Sequence, residues 1–126
     1  MKKIISVLIS VLFASCLFAA SIQVVDANKF ETMINSEKNL YLFDVRTPEE
    51  FSQGHIKNSI NNDIYSNKFK NIFAKIDKNE TIYIYCRSGK RSAMAASELE
   101  KLGFKNIYDL KDGILSWQLD KKPLEK

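Results

Sequence analysis

Two apolar runs constrain what this chain can fold into more than any other feature. Leu40 to Val45 reads Leu-Tyr-Leu-Phe-Asp-Val, and Thr81 to Tyr85 reads Thr-Ile-Tyr-Ile-Tyr. Neither alternates apolar with polar residues, as a strand with one wet face would. Both are short for helices, and the second is β-branched or aromatic at every position. The first predicts a strand buried on both faces and the second is the most strand-like run of the chain; a sheet of strands buried on both faces must be covered by helices on both sides.

The intervening segments supply those helices. Asp26 stands at an N-cap position ahead of Phe30, Met33 and Ile34, which recur at i, i+3 and i+4. Thr47, Pro48 and Glu50 form a capping box with proline at the first helical position, and Gly54 keeps that helix short. Phe69, Ile72, Phe73 and Ile76 fit another helical stripe. An alanine-rich helix is expected from Ser92 to about Leu102, stopping at Gly103, and a closing helix over Ile114 to Leu119. Ile22 to Val25, a weak Ser59-Ile60 and Ile107 to Leu110 complete five strand candidates. Strands alternating with helices in this way predict an α/β fold, an about five-stranded, mostly parallel sheet with helices on both faces. No internal repeat or low-complexity linker interrupts the pattern, and 126 residues fit one domain.

The first twenty residues follow a different rule. Met1-Lys2-Lys3 is a basic start, Ile4 to Phe13 is apolar, and Ala14, Ser15, Ala19, Ala20 and Ser21 are small. That is the layout of a secretory leader, so the expectation is a signal peptide over 1–20, a folded domain over 21–126, and an exported, periplasmic protein. The run is short for a bilayer span and is broken by Ser6, Ser10 and Ser15. Contact with a membrane is expected only through an uncleaved leader or through lipidation of Cys16, since Phe13-Ala14-Ser15-Cys16 faintly resembles a lipobox. Cleavage near Ala20 leaves Cys86 as the single cysteine and excludes an intramolecular disulfide. Removing Lys2 and Lys3 from the 19 basic residues leaves 17 against 15 acidic ones, a net charge of +2 rather than +4. That balance carries no nucleic-acid footprint, and no group of residues has metal-ligand spacing.

The chemistry is expected where the second apolar run ends. Ligands in open α/β sheets bind at the carboxyl ends of strands, and Cys86 directly follows Thr81–Tyr85. Its loop, Cys86-Arg87-Ser88-Gly89-Lys90-Arg91, runs into the helix expected near Ser92. Backbone N–H groups of such a loop and of the first helical turn can form an anion cradle. Arg87, Lys90 and Arg91 place three cations near one thiol, which favours its thiolate. Gly89 supplies the backbone freedom a curled loop needs. A cysteine at a strand end is also often a small buried hydrophobe, with nearby charges merely solvated. On the residues alone both readings stand.

The loop resembles the active-site loop of the rhodanese family, in its single-domain, thiosulfate sulfurtransferase-like form. Two further segments resemble that family's signatures: Phe43-Asp44-Val45-Arg46-Thr47-Pro48-Glu49-Glu50-Phe51 with Gly54-His55-Ile56 and Ile60-Asn61, and Gly103-Phe104-Lys105-Asn106-Ile107 with Leu110, Gly113 and Trp117. The resemblance spans Ile22 to Pro123 in order and spacing. The chain departs from the family pattern at Asn58-Ser59 in place of Gly-Ala, at Asn62-Asp63, at Asp112 before Gly113, and at Asp120-Lys121-Lys122, where a turn glycine is usual.

The resemblance implies a rhodanese-like fold and sulfur transfer by double displacement, with Cys86 as nucleophile and no cofactor. The donor would be thiosulfate or another small sulfur-bearing anion, and the acceptor a thiol, cyanide or a protein thiol. Arg87, Ser88, Gly89, Lys90, Arg91 and Ser92 would bind the substrate, with Arg91 closing the loop. Six residues is the loop length of sulfurtransferases, whereas related phosphatases of this fold carry one more. A persulfide carrier serving a partner protein and a non-catalytic binding module are the alternatives. Asp44, Arg46 and Glu50 are expected to form an internal polar network, His55 a structural turn and Trp117 part of the core.

Overall fold

The computed structural model describes residues 20–126. The basic start, the apolar run and Cys16 lie outside the described residues. Those that follow form β1 (Ile22–Val25), α1 (Ala27–Ser36), β2 (Tyr41–Asp44), α2 (Pro48–Gln53), β3 (Ile60–Asn61), β4 (Thr81–Tyr85), α3 (Lys90–Lys101), β5 (Asn106–Leu110) and α4 (Gly113–Leu119). The strands make one sheet in the order β1-β5-β4-β2-β3, parallel at every pairing. Among the described residues no helix is long and apolar enough to cross a membrane.

β4 lies in the middle, and its successive side chains serve two separate cores. Ile82, Ile84 and the following Cys86 face one layer, with Ala95, Ala96 and Leu99 of α3 and the ring of Phe73. Tyr83 and Tyr85 face the other, with Phe30 and Ile34 of α1 and Ile114 and Trp117 of α4. The unbroken apolar run is thus explained by helices on each side. Ile82 and Ile84 are fully buried, and truncating either to alanine would cost about 2–5 kcal/mol.

One expected helix is absent. Phe69, Phe73 and Ile76 are buried as the stripe requires, but their backbone runs through turns and a short 3-10 helix at Ile72–Lys75. Upstream side chains divert it: Asp63 Oδ1 accepts the N–H of Tyr65, and Ser66 Oγ that of Lys68. Such local bonds offer the backbone an alternative to helix. α3 also begins at Lys90, two residues before the expected Ser92, because Gly89 with φ 105° turns the chain directly into it.

Behind β2 lies a buried ion pair. Arg46 Nη2 donates to Asp44 Oδ2 at 2.7 Å and to the carbonyl of Gly54 at 2.7 Å. Asp44 is wholly buried and Arg46 nearly so, so removing one partner would strand the other's charge at a cost of about 3–5 kcal/mol. The pair clamps the end of α2 to the end of β2, as the expected polar network requires.

Candidate active site

From β4 the chain crosses through α3 to β5 on one side, while from β2 it crosses through α2 to β3 on the other. A crevice opens where such connections diverge, at the carboxyl ends of β2 and β4. Cys86 sits there, 1% exposed. Its Sγ accepts the N–H of Gly89 at 3.0 Å and donates to Ser92 Oγ at 3.4 Å. Ser92 Oγ in turn donates to the carbonyl of Gly89 at 3.1 Å, closing a ring of contacts around the sulfur.

The start of α4 braces this loop from outside. Ile114 N–H donates to the Cys86 carbonyl at 2.9 Å and Leu115 N–H to that of Arg87 at 3.2 Å. Helical N–H groups left unpaired by the first turn are thereby satisfied, and the loop carbonyls are turned away from the sulfur. Gly113 makes the approach possible: a Cβ there would lie within 2.4 Å of the Arg87 carbonyl oxygen.

The three cations have different surroundings. Arg91 forms a two-pronged pair with Glu50, its Nη1 and Nη2 donating to Oε1 at 2.6 Å and Oε2 at 2.9 Å. That contact holds the Glu50 carboxyl down at about 2, while Glu50 also accepts from Thr47 in the capping box. Arg91 thus closes the loop against α2, its charge already engaged, although it stays within electrostatic reach of Cys86. Arg87 and Lys90 are exposed at the rim, and neither takes part in an ion pair among the described residues. Ser88 is exposed, Gly89 half-buried and Ser92 buried. Arg46, Glu50, Arg87, Ile114 and Gln118 help line a cleft of about 240 Å³ beside the loop.

Two residues of this region were not expected there. Glu50 was legible as a helix cap and as a neighbour of Asp44 and Arg46, but not as the partner of Arg91, which lies 41 positions away. Asp109 of β5 is buried against the same layer as Cys86, with Oδ1 unpaired. Burial pushes its carboxyl up to about 6, against the opposing influence of the Ser92 hydroxyl. His55 is occupied structurally: its Nδ1 meets the Phe51 carbonyl at 3.0 Å and its ring stacks on Phe51. Among the described residues no cluster of three or more metal-ligating side chains exists.

In chemical terms, this arrangement can hold a sulfur anion against a backbone N–H, within electrostatic reach of Arg91. The Rhodanese-like domain family model matches residues 26–120. The chain is 38% identical over 94 residues to a tRNA uridine(34) hydroxylase of Pelagibacter ubique, covering 74% of this chain and 31% of that one. It is 32% identical to a putative sulfur carrier protein of Bacillus subtilis, covering 79% and 52%, and 29% identical to a sulfurtransferase of Allochromatium vinosum, covering 74% and 85%. It therefore spans about half or less of the first two. A rhodanese-related protein of Thermoplasma volcanium superposes with a TM-score of 0.70 at 29% identity, over 82% of this chain and 97% of that one. With that fold around that loop, the chain belongs to the rhodanese-like family.

Proposed function

We propose that the protein moves a sulfane sulfur from thiosulfate or a similar anionic donor to a thiol, cyanide or protein-thiol acceptor, through a persulfide on Cys86. The observation that carries this reading is the sulfur of Cys86 held against the Gly89 N–H, in a loop whose Arg87 and Lys90 are exposed and stand outside every ion pair among the described residues. The Cys86 thiolate attacks the outer sulfur of thiosulfate; the new S–S bond forms as the bond to the sulfonate sulfur breaks, and sulfite leaves with that electron pair. The persulfide anion left on Cys86 lies where the N–H and the rim cations stabilise it. An acceptor thiolate or cyanide then attacks the terminal sulfur and restores the Cys86 thiolate. No step needs a cofactor.

Intact mass before and after thiosulfate treatment is the test. Gain of one sulfur atom, abolished in Cys86→Ser, is expected; an unchanged mass with every sulfane donor tried would overturn the reading. Turnover with small thiols separates an enzyme from a carrier that serves a protein thiol, a reading supported by the likeness to the putative sulfur carrier. Turnover with arsenate and with a phosphate ester tests the other reactions of this fold. The leader-like start supports export to a periplasm, with cleavage near Ala20. N-terminal sequencing of exported material should return Ala20 or Ser21, and Met1 would refute it.

A further inference from the structure

On the side of the sheet that Cys86 faces, a groove of about 520 Å³ lies between α3 and the turns over residues 64–70. Both of its walls start at the sheet end that carries the cysteine. Val45 N–H donates to the carbonyl of Tyr85, the residue before Cys86, at 3.0 Å, and the Val45 carbonyl accepts the N–H of Ile64 at 3.2 Å. The other wall, α3, begins at Lys90, at the end of the cysteine's own loop. Phe69 belongs to the apolar cluster that contains Cys86, and Ile64 packs against it.

The groove has a direction. Lys90, Met94 and Glu98 recur every four residues on α3 and so share one face, over a rise of about 12 Å. At the loop end, Lys90 is exposed and stands outside every ion pair among the described residues. One turn on, Met94 is 40% exposed, and Tyr65 of the other wall is 69% exposed. At the far end Glu98 pairs with Lys70 at 3.1 Å, joining the two walls. The face thus runs from a free cation through an apolar stretch to a neutralised end.

Resting on the reading of Cys86 as the sulfur-accepting residue, we propose that this groove seats an extended segment of an acceptor protein, in which the acceptor cysteine has acidic neighbours and an apolar residue two positions away. Charge complementarity sets the first part of that pattern: Lys90 calls for a negative charge close to the attacking thiol. Spacing sets the second. One helical turn separates Lys90 from Met94, about 6 Å, which two extended residues cover, and side chains two apart in an extended chain point the same way. Cyanide or a small thiol leaves most of such a groove unfilled. Cys86, 1% exposed, is out of reach of a cysteine on a flat protein face, whereas a protruding segment can enter. The segment's thiolate bonds to the terminal sulfur of the persulfide as the bond to Cys86 breaks, and that electron pair returns to the Cys86 sulfur.

The probes are a capped pentapeptide Leu-Asp-Cys-Asp-Leu, which offers the pattern in either chain direction, its Ser-Asp-Cys-Asp-Ser and Leu-Lys-Cys-Lys-Leu counterparts, and N-acetylcysteine amide as small acceptor. With thiosulfate as donor, wild type should use the first peptide about tenfold better in kcat/KM than the other three, the scale of burying one apolar side chain or gaining one charged contact. Acidic flanks raise a thiol's pKa, so intrinsic reactivity works against that order. Met94→Glu should abolish the preference while changing N-acetylcysteine amide turnover, and sulfur loading of Cys86 read by mass, by less than about twofold. Tyr65→Ala should act in the same direction, which guards against a local disturbance of α3 in the first variant. A labelled Leu-Asp-Ser-Asp-Leu peptide followed by fluorescence anisotropy keeps the two ideas apart. Binding that Met94→Glu weakens, with no sulfur loaded on Cys86, rejects the transfer chemistry and leaves the docking groove standing. Equal use of all four acceptors by sulfur-loaded wild type, or peptide binding that neither variant weakens, would overturn the proposal.

Discussion

The contact whose loss can be worked out most fully is the one between Glu50 and Arg91. Replacing Glu50 by Gln removes the charge while keeping an acceptor for the capping box. The carboxyl is held at about 2 against an ordinary 4.5, chiefly by the Arg91 hydrogen bonds. A gap of about 2.5 pH units, at about 1.36 kcal/mol per unit, corresponds to roughly 3 kcal/mol. Water reaches the pair, the side chains of Arg91 and Glu50 being 19% and 27% exposed, so screening reduces that figure. A loss of about 1–2 kcal/mol at neutral pH is the expectation.

Because the folded-state value is lowered, this contribution is complete above the ordinary carboxyl range and disappears as pH falls through it towards about 2. Glutamine does not titrate. Urea unfolding of both proteins should therefore show a gap at pH 7 that has more than halved by about pH 3, with unchanged urea dependence. Subtracting one protein from the other removes the titrations they share. Equal stabilities at pH 7, or a gap that stays constant to about pH 3, would mean that Arg91 is held by something other than Glu50.

Four further outcomes are expected. Cys86→Ser should abolish sulfur transfer in steady-state assay, since an alcohol cannot hold the sulfane sulfur. Arg87→Ala and Lys90→Ala should each lower kcat/KM for thiosulfate about tenfold or more, a charge-assisted hydrogen bond being worth about 1.5–3 kcal/mol; a neutral polysulfide-type donor should be spared. Gly113→Ala should lose about 2–4 kcal/mol in urea unfolding, because its methyl meets the Arg87 carbonyl and its φ of 59° is left-handed. Asp109→Asn should be more stable than wild type at about pH 7.5 by up to about 3 kcal/mol, with the gap closing below about pH 4. Its folded-state value is raised to about 6, so the wild-type protein loses stability as pH climbs through that value.

Much of this architecture was legible because it follows from patterns within a few residues. The runs around β2 and β4, the capping box at Thr47 and the N-cap at Asp26 all satisfy rules of local spacing. The stripe at Phe69–Ile76 met the same rule and still failed as a helix. Side chains at Asp63 and Ser66 had already committed the backbone to turns, while the apolar residues reached the core by another route. Arg91 was legible as the residue that closes the loop, but its partner was not, because the contact joins the starts of two helices far apart in the chain.

The departures from the family pattern show where a motif is a statement about backbone rather than side chain. Three non-glycine residues have a positive φ among the described residues: Asn58 at 67°, Asp112 at 58° and Lys121 at 54°. Each falls where the chain lacks a glycine usual in the family, so the left-handed turns are kept although the residue best suited to them is gone. Asn and Asp bear that conformation more readily than most side chains, and Lys121 has neither their short polar group nor their tolerance. The glycine that was retained is the one that cannot be spared. Gly113 differs from its neighbour Asp112 because a Cβ at 113 would strike the Arg87 carbonyl as well as strain its own φ. Asp109 is the converse case. In Asn106–Leu110 it reads as one polar residue near a strand end, and only the docking of α3 over β5 makes it a buried carboxyl next to Ser92. A side chain whose meaning depends on which helix covers it cannot be recognised by spacing, however complete the motif around it.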